Sequence, residues 1–318
     1  MDGIKGQNGG GCGPRMAAVF AAGLSSASAS GGYGWQGAAL AIPVLFLMGW
    51  GTVRLSVCAP KRAAPLWAVL RLWGLALLLR RLGLCARRLE NTGGGEPGTA
   101  RWIVLLVAAF LLWTALRRGP VLLRAAPLCA RLLLLAAGGV ALWGASQMRW
   151  SYVLLPPADL WSGFRTALEA GAGTLFILPY IYKEGRGGEN GRELLWVVLT
   201  AVSPALLAAV TAGVISSAVL PLAEEPFFAM TAALGRSVRA EGLVSCLWLV
   251  SDVMGLALLA QIGAGEKRWP SVFAICLAAA GAWLGILEGG FSWLWGAGTA
   301  ILWCAAAVFL RLNRENCG

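Results

Sequence analysis

The chain has 318 residues, of which 58% are hydrophobic and 13% charged, with a mean hydropathy of +0.71; soluble domains hold roughly 45–50% apolar and 25% charged residues. That balance excludes a mainly soluble protein and leaves no room for a large soluble domain beside the apolar segments. The formal charge of +11 comes without a single histidine, which removes the commonest acid/base group and metal ligand, and the basic residues gather at segment ends and short connections, where they report topology rather than a nucleic-acid surface.

Residues 1–15 are Gly-rich and polar and read as a disordered cytoplasmic tail, followed by one polytopic transmembrane domain over 16–311 and a short tail at 312–318. The stretch 16–32 has two readings. Its basic flank, short apolar run and Ala27-Ser28-Ala29 resemble a cleaved leader, but the run is weak and another apolar segment follows at once, which favours a first membrane helix with an irregular Ser/Gly half. Segment 37–53 is a clean span closed by Arg54, Lys61 and Arg62. Segment 65–82 carries Arg71 near its start and ends at Arg80 and Arg81, and 85–100, with three consecutive glycines and Pro97, reads as the longest flexible loop.

Segments 102–116 and 121–145 follow, divided by a basic turn; Arg124 and Arg131 lie seven apart and share a helix face. The sixth segment, 164–183, carries one carboxylate, Glu169, ahead of Ala170-Gly171-Ala172-Gly173-Thr174. Glycines there predict a helix that unwinds near 170–174 and resumes toward Tyr180, which is tolerated in a membrane only where it is buried or lines a watery cavity. The bland reading is a packed helix whose small residues admit a close neighbour. Segment 194–220 contains Pro204, a kink or discontinuity, and 242–262, 269–287 and 291–310 complete ten candidate spans.

Segments one and six, interrupted near 25–32 and 170–174, occupy corresponding places in two halves of five. The fold expected is therefore all-α and integral to the membrane, with about ten transmembrane helices in an inverted five-plus-five repeat and a site between the two broken helices. Both termini fall on the cytoplasmic side by the distribution of Lys and Arg. The site residues expected are Ser25 and Ser28 on the first segment, Glu169, Gly171, Gly173 and Thr174 on the sixth, and Ser251 with Asp252 on the eighth. Asp252 sits about three turns into its span, where an unpaired charge is costly, so it needs Arg71, Arg131 or a ligand amine as its partner.

Eight cysteines without a CxxC or a neighbouring pair give neither a zinc site nor a disulfide framework. With no nucleophile motif, phosphate loop or metal set, no enzymatic activity and no cofactor are expected.

Residues 226–252, PFFAMTAALGRSVRAEGLVSCLWLVSD, resemble the spore-germination permeases, the B-type membrane subunits of nutrient germinant receptors within the amino acid–polyamine–organocation transporter superfamily. The family pattern is a proline-led short helix, then Arg-x-acid and a tryptophan some seven residues later; here it reads Pro226, Arg239-Ala240-Glu241 and Trp248. A second match runs from Gly119 through Arg124 to Pro127. In the sixth segment the family shows Gly-Glu before an apolar run and a proline, whereas Gly173-Thr174 precedes LFILP here and the carboxylate is displaced to Glu169. The resemblance covers most of residues 33–262 and implies binding or transport of a small amino-acid-like nutrient. It further implies a bacterial cytoplasmic or spore inner membrane, and germinant-receptor subunits as partners. The short stretch 226–235 is expected along the membrane surface, with Phe227, Phe228 and Met230 dipping into it. The competing class is a non-transporting membrane scaffold, for which many small residues and 16 tryptophans supply packing faces and interfacial anchors.

Overall fold

The computed structural model describes residues 19–20, 23–24, 34–55, 64–93, 96, 98–116, 120–157, 159–178, 191–216, 219–220, 226–234, 240–264, 268–284 and 292–315. Among these residues there is no strand. In chain order the helices are α1 (Trp35–Leu55), α2 (Ala64–Gly93), α3 (Thr99–Leu116), α4 (Pro120–Ser146), α5 (Trp150–Val153) and α6 (Leu160–Leu175). They continue with α7 (Gly191–Val214), α8 (Pro226–Leu234), α9 (Ala240–Ala264), α10 (Arg268–Trp283) and α11 (Ser292–Glu315).

Three of them are long and apolar enough to cross a membrane: α3, the part of α4 from Ala126 to Ser146, and the part of α7 from Leu194 to Val214. Shorter apolar stretches lie in α9, α10 and α11. The α3 and α4 surfaces turn large apolar side chains outward, among them Trp102, Leu106, Leu135 and Leu142. Apolar faces of that extent, uncovered by protein, suit hydrocarbon rather than water. Inside, α6 is sandwiched between α1 and α11 and touches α7, while α2 packs against α3, α9 and α10. Helix α9 also reaches α4 and α8, which in turn touch α7 and so link the two groups.

Helix α6 starts on an N-cap: the Asp159 carboxylate accepts from the backbone N–H groups of Trp161 and Ser162. It runs through Ala170–Thr174 to Leu175, and the turn comes only at residues 176–177, before Leu178 is helical again, which moves the expected break from 170–174 to just past them. Its ladder continues from the Phe176 N–H to the Ala172 carbonyl at 2.8 Å and tightens to a bond from Ile177 to Thr174 only past Leu175. The small residues serve close packing instead. A Cβ built on Gly171 would lie 2.5 Å from a Leu45 methyl of α1, and one on Gly296 of α11 would lie 2.9 Å from the Glu169 backbone nitrogen. Where α1 begins, a Cβ on Gly37 would meet the Leu160 carbonyl oxygen at 2.5 Å. The α7 helix likewise continues through Pro204, as proline-containing membrane helices often do.

Two further expectations change. The assigned loop 85–100 is helical as far as Gly93, so Arg80, Arg81, Arg87 and Arg88 stand on α2. The short helix α8 does not present its aromatic residues outward: Pro226, Phe227, Phe228 and Met230 are buried in protein. Phe227 stacks on Trp248 of α9 at 4.8 Å between ring centroids. The expected break near 25–32, the tails at 1–15 and 316–318, and Arg239 lie outside the described residues.

Candidate functional site

Successive turns of α2 carry Leu77, Leu78, Arg81, Leu82, Cys85 and Arg88 on neighbouring inward positions, because residues three, four and seven apart share a helix face. The apolar members fix that face in the core: Leu78 and Leu82 are fully buried and Cys85 nearly so. Arginines on the same stripe are thereby carried inside, where a charge needs a partner.

Two partners come from other helices. Arg80 Nε donates to Glu169 Oε1 of α6 at 2.6 Å, and the Arg80 guanidinium lies 5.2 Å from the centroid of the Trp295 ring on α11. Arg88 Nη1 donates to Asp252 Oδ2 of α9 at 3.0 Å, with the two side chains only 9% and 15% exposed. The Cys85 thiol, buried one turn before Arg88, lies close to the same carboxylate. Asp252 is therefore not held by Arg71 or Arg131, both of which are exposed.

Between these pairs stands Arg81. Its Nη2 donates to Thr174 Oγ1 at 2.9 Å and, at 3.4 Å, to the Ala170 carbonyl, which also accepts from the Thr174 hydroxyl at 3.0 Å. The guanidinium fits because the facing position is a glycine: a Cβ on Gly173 would lie 3.1 Å from Nη2. The charges that act on Arg81 are those of Asp252, Glu169 and Arg88.

Of the residues expected at the site, Glu169, Gly173, Thr174 and Asp252 thus meet around the α2 arginines, and Ser251, fully buried, adjoins Asp252 on α9. Gly171 faces Leu45 instead of the arginines. Ser25 and Ser28 lie outside the described residues, but Gly23, two residues before Ser25, approaches the same place: a Cβ there would be 3.2 Å from the methyl groups of Thr174 and Thr200. The Phe20 ring beside it lies 5.0 Å from that of Trp196 on α7. Of the family-motif residues, Pro226 and Trp248 are buried in the α8–α9 contact. Glu241 is on α9, its side chain outside the described residues. The Trp248 indole N–H is buried with no acceptor among the described residues, and the tryptophan packs against the rings of Phe227 and Phe228.

Sequence reasoning missed Arg80, Arg81 and Arg88. Their signal was present, since Leu82, Cys85, Ala86 and Leu89 continue the apolar period of the preceding segment straight through the basic residues. Among the described residues no group of His, Cys, Asp or Glu has the makings of a metal site. The arrangement suits binding of a small polar or charged group, or the locking together of three helices. No family model matches the chain, and no curated protein matches it.

Proposed function

We propose that this protein is a permease-like integral membrane subunit that binds or moves a small, amino-acid-like solute. One observation carries the reading: three arginines, two carboxylates and the Thr174 hydroxyl from α2, α6 and α9 gather inside an otherwise apolar helix bundle, beside Gly23 of the first segment. Charged groups within membrane helices are expensive and commonly mark a solute or ion path. The resemblance of residues 226–252 to the spore-germination permeases supports the same reading, as fold-level analogy does. The ten-span inverted repeat, the spore inner membrane and the companion germinant-receptor subunits belong to this proposal.

A second reading has its own support. The continuity of α6 through Ala170–Thr174 and the carboxylates already engaged by arginines also fit a non-transporting scaffold whose ion pairs join helices. Thermal unfolding of the purified protein across a panel of amino acids separates the two, because a solute that binds only the folded state raises the midpoint by mass action. The permease-like reading expects a saturable rise with at least one solute that is lost in Glu169→Gln and Asp252→Asn. A midpoint indifferent to every solute in the panel would leave the scaffold. Capture of companion subunits from native membranes tests the partners separately.

A further inference from the structure

From the arrangement of α2 we infer that Arg81 is the anchor for the carboxylate of a small monocarboxylate solute, held at the seam between α2 and α6. This rests on the solute-binding reading above and adds which chemical group of the solute is recognised and by which side chain.

The three arginines of the cluster are not equivalent. Arg80 has Glu169 and Arg88 has Asp252, each within 3.0 Å. Arg81 has no carboxylate within ion-pairing distance among the described residues; it is tied only to a hydroxyl and a backbone carbonyl, and both bonds use Nη2. Nε and Nη1, with three N–H donors between them, take part in neither. Among the described residues three arginines and two carboxylates meet here, and Arg81 is the arginine with no carboxylate at ion-pairing distance, in a place where uncompensated charge is costly. An anion on its Nε and Nη1 completes its pairing.

The kind of anion follows from the donors and the space. A guanidinium presents its N–H groups in one plane, which suits the planar carboxylate group, and charge-assisted bonds of this type are among the stronger ones in proteins. The solute must be small, because Gly173, Thr174 and Gly23 crowd this part of the seam. The two protein carboxylates are engaged by Arg80 and Arg88, so an ammonium group on the solute is dispensable whereas its carboxylate is not.

The test uses the whole purified protein and three sets of probes: acetate, propionate and lactate; the proteinogenic amino acids; and alaninamide with glycinamide, which keep the amine and lose the carboxylate. Inorganic phosphate and chloride serve as further arms. The expected result is a saturable rise in the unfolding midpoint with carboxylates of either set and none with the amides, phosphate or chloride. In Arg81→Lys, which keeps the charge and loses the fork, the apparent affinity for the same carboxylates should fall at least about tenfold, and in Arg81→Gln the response should vanish. Stabilisation by the amides, or by phosphate or chloride in place of carboxylates, overturns the inference while leaving a solute site standing. An undiminished carboxylate response in Arg81→Lys and Arg81→Gln assigns the anchor elsewhere and also overturns it. Should Arg81→Gln fail to fold, the acid–amide contrast in the unsubstituted protein and the Lys variant decide. No response to any probe removes both this inference and the solute-binding reading.

Discussion

Asp252 and Arg88 meet at 3.0 Å with side chains 15% and 9% exposed, and the geometry makes their removal asymmetric. Replacing Asp252 by Asn leaves a guanidinium in a largely apolar setting, and losing one partner of a buried pair costs about 3–5 kcal/mol. Some of that is returned here, because the amide oxygen still accepts a hydrogen bond and the pair is not wholly dry. The expected loss for Asp252→Asn is therefore about 2–3 kcal/mol, read from denaturant or thermal unfolding in detergent. A double-mutant cycle with Arg88→Gln should return a coupling of about 1–3 kcal/mol. Coupling near zero would mean that the two side chains do not act as a pair in solution. The Arg80–Glu169 pair, with Glu169 22% exposed, should show the smaller coupling of the two, since solvent screens it more.

At the scale of elements, the glycines of this chain divide into those that admit a neighbour and those that face open space. Gly37 lies where a Cβ would collide with the Leu160 carbonyl at 2.5 Å, so the backbones of α1 and α6 must separate to accept a side chain. Gly37→Ala should destabilise by about 1–3 kcal/mol, and Gly37→Leu should abolish the native packing. Gly139 on α4 has nothing within 4 Å of a built Cβ; Gly139→Ala should be neutral or stabilise by up to about 1 kcal/mol through helix propensity. Equal effects at the two positions would contradict the close α1–α6 approach. The start of α6 makes a pH-dependent prediction. Hydrogen bonds from the Ser162 hydroxyl, then from the Ser162 and Trp161 backbone N–H groups, hold the exposed Asp159 carboxyl below the usual carboxylate range. Its folded value is lower than its unfolded one, so the cap contributes fully above the unfolded value of about 3.9 and loses that contribution as the pH falls toward the folded value. Asp159→Ala should lower stability at neutral pH and flatten the acid limb, measured as the difference between the two pH profiles.

For the whole molecule, the arginine stripe of α2 and the tryptophans of α2 and α11 do related work, each joining helices distant in the chain. Trp73 of α2 donates to Thr299 of α11 at 3.0 Å, and Trp303 of α11 donates to Thr52 of α1 at 2.7 Å, inserting beside Gly51. These bonds join helices far apart in the chain, as do the ion pairs from α2 to α6 and α9. In a membrane no hydrophobic gain accompanies helix association, because lipid is as apolar as the side chains, so packing of small residues and interhelical polar contacts carry it. Thr52→Val is accordingly expected to cost about 0.5–2 kcal/mol, a membrane-helix hydrogen bond's usual range, measured by thermal unfolding, with the larger loss if the Trp303 indole finds no other acceptor.

Much of this architecture was legible in the chain. Long apolar runs without acids specify helices whatever their surroundings, and absent histidine bounds the chemistry without any geometry. Glu169, Thr174, Ser251 and Asp252 were recognisable because polar residues inside apolar runs are expensive and need a reason to be there. What composition could not tell was which arginines answer them. That depended on α2 continuing past Leu82 to Gly93, since each further turn of helix carries another basic residue toward the core or away from it. The glycines of α6 were equally undecided from sequence, because a missing Cβ serves an unwound backbone and a close neighbour alike. Only the positions of Leu45, Arg81 and α11 around that helix settled it in favour of the neighbours, for those contacts are made by residues distant in the chain and no local pattern encodes them.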